Sequence, residues 1–269
     1  MKPITASDCL VEIEDLHFSY PERPVLKGLS LKIPRGKVVA ILGASGSGKT
    51  TLLQMLGRQR HPDRGRVIID GQEVGKLSHE EMRELRKKMG MMFQAGGLYT
   101  DLTVYENVAF YLREHTTLPE TIIRKMVLMK LHAVGLRGAH KLMPNELSGG
   151  MSRRVALARA IVHDPVLAMY DEPFAGLDPI SLNQVAMLIR KLNDALGTTS
   201  IVVTYDVSES LELVDYVYVI ANGVLAGEGT PKEMLASEDP FLKQFLHALP
   251  NGPIEFHYPA KPIGEEVGI

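Results

Sequence analysis

From residue 9 to residue 42 apolar and polar side chains alternate, as in Leu10-Val11-Glu12-Ile13, with breaks at Pro21-Glu22-Arg23-Pro24 and Pro34-Arg35-Gly36. A period of two puts every second side chain on one face. The stretch therefore predicts an antiparallel layer of strands that feeds a further, wholly apolar strand over 38–42. Another strand is expected over 66–69, turned by Asp70-Gly71. Ser78 with Glu81, and Thr103 with Glu106, have the spacing of a capping box, which predicts helices through Lys88 and through Glu114. Between them 90–94 reads as a short strand broken by Gly96-Gly97, and 119–134 has helical periodicity ending at Gly135. Residues 95 to about 160 are thus expected to be almost wholly helical, inserted between two halves of a core.

The core pattern then resumes. Residues 166–170 are apolar without a break, as in a strand covered on both faces. A helix is expected over 179–196, with Asp178 as N-cap, Pro179 at its first position and Gly197 after its end. Residues 200–204 and 216–220 read as strands, and Asn222-Gly223 begins a closing hairpin. Short helices near 232–236 and 241–248 complete a unit spanning 9–248. The fold class is α/β, with an antiparallel β layer and a helical segment. The tail, 249–269, changes character: prolines at 250, 253, 259 and 262 surround Phe256 and Tyr258. It is either an unstructured end or an extended arm that lies against a neighbour.

Composition narrows the classes. With 45 % hydrophobic and 23 % charged residues the chain has the make-up of a soluble globular protein. A net charge of −2 gives no reason to expect a nucleic-acid partner. Cys9 is the only cysteine, which rules out an internal disulfide and fits a reducing compartment. The N-terminus lacks a signal-peptide pattern, and no uncharged apolar run approaches the ~18 residues of a membrane span. Work at a membrane would need partner chains.

The chemistry gathers around Gly43-Ala44-Ser45-Gly46-Ser47-Gly48-Lys49-Thr50-Thr51, set between the expected strand 38–42 and a helix over 49–56. This is the P-loop arrangement. The glycines let successive N–H groups turn toward phosphate oxygens, and the helix N-terminus adds its positive dipole. Lys49 would reach the β- and γ-phosphates of ATP, and the Thr50 hydroxyl would ligate Mg²⁺. Hydrolysis also needs a base, and Asp171-Glu172 at the C-terminal end of the 166–170 strand supply carboxylates where ligands of open α/β sheets sit. Asp171 would hold the Mg²⁺ shell and Glu172 would polarise the attacking water.

At Leu147-Ser148-Gly149-Gly150 the chain resembles ATP-binding cassette (ABC) ATPases, whose signature motif lies between the P-loop and the acidic strand. Gln94 looks like the Q-loop glutamine, a Mg²⁺ and water ligand, and Ala175-Gly176-Leu177-Asp178 like the D-loop. Tyr20, twenty-nine residues before Lys49, resembles the A-loop aromatic that stacks on adenine. The resemblance implies a head-to-tail homodimer in which Ser148, Gly149, Gly150 and Asp178 close the partner's ATP. Two positions depart from the pattern: Met151 replaces the usual glutamine, and Tyr205 stands where the switch histidine is expected.

Further stretches, Arg113-Glu114-His115-Thr116, Ala133 to Gly138, Met151-Ser152-Arg153-Arg154, Asp171-Glu172-Pro173-Phe174 and Asn251 to Ala260, are similar to the ATPase subunits of bacterial Mla (maintenance of lipid asymmetry) phospholipid transporters of the MCE class. That likeness implies work at the cytoplasmic face of the inner membrane. The implied partners are an integral-membrane permease, a periplasmic MCE-domain lipid-binding protein and a small STAS-domain cytoplasmic protein. Met89, Met91 and Met92 beside Gln94 either line a groove for a permease helix or fill core. Arg153 and Arg154 either orient the signature helix or sit at the surface. Alternatives to a transport ATPase are another ABC transporter's subunit, an ATP-gated clamp with little turnover because of Tyr205, or a soluble ABC protein of repair or translation. The last would usually carry two cassettes or a long coiled-coil insertion, and this chain has neither.

Overall fold

The computed structural model describes residues 8–21, 23–94 and 96–254. In chain order, β1 (Cys9–Tyr20), β2 (Arg23–Pro34) and β3 (Val38–Leu42) lead through the glycine-rich loop into α1 (Lys49–Leu56). Next come β4 (Arg64–Ile69), β5 (Gln72–Glu73), α2 (His79–Arg86) and β6 (Met89–Met92). Three helices follow: α3 (Val104–His115), α4 (Glu120–Ala133) and α5 (Gly149–Ala160). The chain returns through β7 (Leu167–Asp171), α6 (Pro179–Leu196), β8 (Thr199–Thr204), α7 (Val207–Leu213), β9 (Tyr216–Ala221) and β10 (Val224–Gly229). It closes with α8 (Pro231–Leu235) and α9 (Pro240–Leu246).

The strands form two sheets. One is antiparallel, in the order β2-β1-β4-β5; the other runs β10-β9-β3-β8-β7-β6. In the larger sheet every neighbouring pair is parallel except β10 with β9. Its central strands are buried on both faces, so their alternate side chains enter two different cores. Val39 and Ile41 face the antiparallel sheet, where Val11, Ile13, Leu16 and Phe18 pack with Leu52, Leu53 and Leu56 of α1. Val38, Ala40 and Leu42 face the helices, among Val108, Leu112, Val127 and Ala156. Each of the larger side chains (Val, Leu, Ile, Phe) contributes roughly 1.5–3 kcal/mol of burial.

Local rules act where the sequence places them. Ser78/Glu81 and Thr103/Glu106 both close as capping boxes, Asp178 caps α6, and Gly197 ends it in the left-handed region. Asn222 and Gly223 take the two positive φ values of a tight hairpin turn. A third capping box, Thr230/Glu233, opens α8. Some boundaries move: α2 stops at Arg86 rather than Lys88, β6 covers 89–92 rather than 90–94, and β7 ends on Asp171 itself. The helix α7 was not expected. Between β6 and β7, which pair directly, the described residues hold helices and turns only.

The methionines of β6 do not form a groove. Met92 is buried in the helical core and Met89 in the opposite core, with Met91 packed beside it. Burial pushes the Cys9 thiol up, so it is not an activated nucleophile. At the end of the described chain, Ile254 donates to Gln244 Oε1 at 2.6 Å and accepts from Gln244 Nε2 at 3.2 Å. The rest of the tail, with Phe256 and Tyr258, lies outside the described residues.

Candidate functional site

Strand order builds the site. Because β3, β8, β7 and β6 are consecutive and parallel, the loops that leave their C-terminal ends lie side by side. Those loops carry the P-loop, Tyr205, Glu172 and Gln94 respectively. A cavity of about 230 Å³ opens there, lined by Tyr20, Arg23, Val25, Ser45, Gly46, Gly48, Lys49, Thr50, Thr51, Gln94, Glu172 and Tyr205.

The P-loop holds its shape for steric reasons. A Cβ on Gly43 would stand 2.4 Å from the Ile220 carbonyl oxygen and 2.7 Å from Ser47 Oγ, and Gly48 has φ +105 with Leu26 and Val25 against it. Ala44 and Ser47 line an adjoining cavity that shares Ser45 and Gly46 with the first. Lys49 is buried, and its ammonium donates to the carbonyls of Gly43 at 2.8 Å and Ala44 at 3.1 Å. It also lies 3.7 Å from Glu172 Oε1. Burial lowers the Lys49 pKa, and the two acidic neighbours oppose that shift. Thr50 Oγ1 donates to Asp171 Oδ1 at 3.1 Å, which ties the helix after the P-loop to the end of β7.

Asp171 and Glu172 are both buried, and desolvation raises both carboxyl groups above the ordinary carboxylate range. For Glu172 the Lys49 ammonium and hydrogen bonds from Thr204 and the Tyr205 backbone work against the rise. The Tyr205 N–H reaches Glu172 Oε2 at 3.3 Å. Glu172 also has φ +48, a left-handed conformation that a glutamate seldom takes. Its own N–H is fixed to the Val203 carbonyl at 2.8 Å, so the strained turn aims the carboxylate into the cavity. The Tyr205 side chain stands 46 % exposed at the mouth.

The other expected site residues lie elsewhere. Ser148 caps α5, accepting from the Met151 N–H at 3.3 Å, and Gly149 and Gly150 open that helix. None of the three lines the cavity. A Cβ at Gly149 would meet nothing within 4 Å, whereas one at Gly150 would touch Ser181. Asp178 spends its carboxylate on the N–H groups of Ile180 and Ser181, both at 3.0 Å, and is likewise outside the cavity.

Sequence reasoning passed over Arg23 and Arg159 and left open whether Arg153 and Arg154 orient the signature helix or sit at the surface. Arg23 joins the cavity wall. Arg153 of α5 donates to the Gln94 carbonyl and, at 3.1 Å, to the Ala175 carbonyl. Six residues on, Arg159 donates to the carbonyls of Gly96 and Gly97, both at 2.7 Å. The signature helix therefore grips the loop after β6 and the loop after Glu172 together. Arg154 instead bonds Gly150 and Val134 within the helical segment.

The profile of the ABC transporter family matches residues 26–175, more than half of the chain. The chain belongs to the ABC transporter family. This ATP-binding cassette is 52 % identical over 258 residues to the intermembrane phospholipid transport system ATP-binding protein MlaF of Haemophilus influenzae, covering 96 % of this chain and 98 % of that one. It is 48 % identical over 251 residues to the MlaF protein of Escherichia coli K12, covering 93 % of each. Among solved structures it is similar to the ATP-binding cassette MJ0796, captured as a dimer in a post-hydrolysis state with ADP and Pi. The TM-score is 0.75 at 31 % identity, over 82 % of this chain and 98 % of that one. The cassette is thus an ATP-binding, ATP-hydrolysing unit with the P-loop NTPase fold.

Proposed function

We propose that this cassette is the ATPase subunit of a bacterial membrane complex that moves phospholipids between membranes and so maintains lipid asymmetry. The observation that carries the chemistry is the convergence of Lys49, Thr50, Gln94, Glu172 and Tyr205 on one cavity. The transport reading rests on end-to-end similarity to proteins whose printed names describe intermembrane phospholipid transport.

In this reading the N–H groups of residues 43–51 and the Lys49 ammonium hold the phosphates, and Tyr20 carries the adenine. Thr50, Asp171 and Gln94 offer oxygen donors suited to Mg²⁺, and the Thr50–Asp171 contact already sets two of them together. When bound, Mg²⁺ neutralises charge on the phosphates. Glu172 accepts a proton from the attacking water, positioned with Gln94, and Tyr205 donates to a phosphate oxygen in place of a histidine.

Ser148, Gly149 and Gly150 lie outside their own cavity, and the space over Gly149 is open. Both facts suit a homodimer in which each signature closes the partner's ATP. Among the described residues no helix is long and apolar enough to cross a membrane. We place the dimer at the cytoplasmic face of the inner membrane, bound to a permease, with an MCE-domain lipid-binding protein and a small STAS-domain protein in the same complex. The cassette is the unit spanning 9–248, with its helical subdomain at about 95–160.

The test is to isolate the tagged chain from its own membranes, identify what accompanies it, and measure phosphate release and lipid transfer between labelled vesicles. Transfer that requires this chain and ATP is the expected result. A complex with a permease but no lipid transfer would overturn the transport reading. Phosphate release at the level of a Lys49→Ala control would favour an ATP-gated clamp, the reading that Tyr205 supports.

A further inference from the structure

Tyr20 sits at the rim of the nucleotide cavity, and its ring is held from several sides. Phe18 meets it edge-on, with centroids 5.0 Å apart and planes at 84°. Its hydroxyl lies 3.4 Å from Thr51 Oγ1 on α1. The Arg60 guanidinium lies over the ring, its Cζ 4.7 Å from the centroid, and is 5.7 Å from the Phe18 centroid as well. Arg60 is itself fixed, because its Nε donates to Gln54 Oε1 at 2.7 Å. Gln54 and Thr51 both belong to the helix that starts at the P-loop lysine.

The guanidinium occupies one side of the ring only. Arg60 does not line the nucleotide cavity, which Tyr20 does, but a separate one with Met55, His61 and Val67. One face of the ring thus lies against a cation, and the same tyrosine lines the nucleotide cavity, which Arg60 does not.

We propose that Arg60 is a positioning residue for the nucleotide's base: it backs the Tyr20 ring and fixes it, through Gln54, to the helix that holds the phosphates. This rests on the reading of Tyr20 as the adenine platform. The contact between Arg60 and Tyr20 is made within the chain, so it adds no attraction of its own when the base binds. What it contributes to binding is preorganisation. A half-buried tyrosine on a rim would otherwise lose rotamer freedom when the base arrives, and here that freedom is already gone. A cation on one face also draws electron density from the ring, which favours an electron-rich purine on the other. The benefit falls on ligands with a base and not on bare phosphates.

The experiment is calorimetric titration of the full chain with two probes in Mg²⁺ buffer, ADP and inorganic pyrophosphate, for the parent, Arg60→Met, Tyr20→Ala and the double variant. Neither probe is an ATPase substrate, so binding is read alone. The expected result is that Arg60→Met weakens ADP about fivefold and leaves pyrophosphate unchanged. In the Tyr20→Ala background the same change should have no further effect. Equal weakening of both probes would mean a general disturbance of the fold and would overturn the proposal. A loss for ADP in Tyr20→Ala with none in Arg60→Met would overturn it while sparing the platform. No loss in Tyr20→Ala would remove the platform, and the proposal with it.

Discussion

Replacing Arg153 with alanine removes two donors from a charged group at a point where three functional segments meet. The Gln94 and Ala175 carbonyls would lose their link to α5, the helix that carries the signature residues. A hydrogen bond from a charged donor is worth roughly 1.5–3 kcal/mol when buried. Arg153 is half-buried, and water can replace part of what is lost, so about 2 kcal/mol for the pair is a fair figure. That is a factor of about 30 in the balance between the fastened and the loose arrangement. The affected segments hold Gln94 and the turn after Glu172, while the P-loop keeps all of its contacts. Phosphate release by the assembled complex should therefore fall by about 10- to 30-fold, with ADP affinity changed less than about threefold. Arg153→Lys should recover only part of the loss, since one ammonium lacks the planar fork that spans two carbonyls. Turnover within about twofold of the parent, or an equal loss of ADP affinity, would show that this grip has no part in positioning the chemistry.

Three other outcomes are expected. Glu172→Gln should retain nucleotide binding while phosphate release falls by roughly 10²-fold or more; unchanged release would remove Glu172 from the mechanism. Tyr205→His should raise turnover modestly, by ~10-fold or about 1.4 kcal/mol in the barrier. A histidine form slower than the parent would mean that the site is built for the phenol. Burial pushes the His163 imidazole down to about 4, against the help of the Met89 carbonyl and Asp164 and with that of His115 and Lys130. Its folded pKa lies below the ordinary value near 6.5, so its contribution to stability is complete above that pH and is lost as pH falls toward 4. The loss should reach about 2 kcal/mol near pH 5. Denaturant titrations should find that part of the pH dependence missing in His163→Phe, which keeps a ring against Tyr111; an identical slope would refute it.

What the sequence showed well were features decided by neighbours along the chain. The capping boxes at Ser78 and Thr103, the Asp178 cap, the Asn222-Gly223 turn and the strand–loop–helix around Lys49 each depend on a handful of consecutive residues. The carboxylates of Asp171 and Glu172 were legible because a polar pair ends an apolar run. Pairing order was not, because β3 lies between β8 and β9, more than 150 residues away. Nor could spacing disclose Arg60 or Arg153, whose partners are set by that order. The seven-residue α7 is too short for its periodicity to stand out. Whether the β6 methionines line a groove or fill core stayed open, because composition alone does not say which side of a strand is covered.

The resting place of Lys49 has a consequence for energetics. Its ammonium is shared among two loop carbonyls and the Glu172 carboxylate. Incoming phosphates must compete with Glu172 for the same cation, and the residue that surrenders it is the one proposed to activate water. Lysine and carboxylate are thus coupled as in an interlock: whatever draws the Lys49 ammonium away also releases Glu172. The same competition sets a hidden toll on affinity. A Glu172→Gln chain no longer contests the lysine, so it should hold even ADP, which it cannot hydrolyse, more tightly than the parent does. Tight binding by such variants would then reflect a freed lysine as well as stalled chemistry.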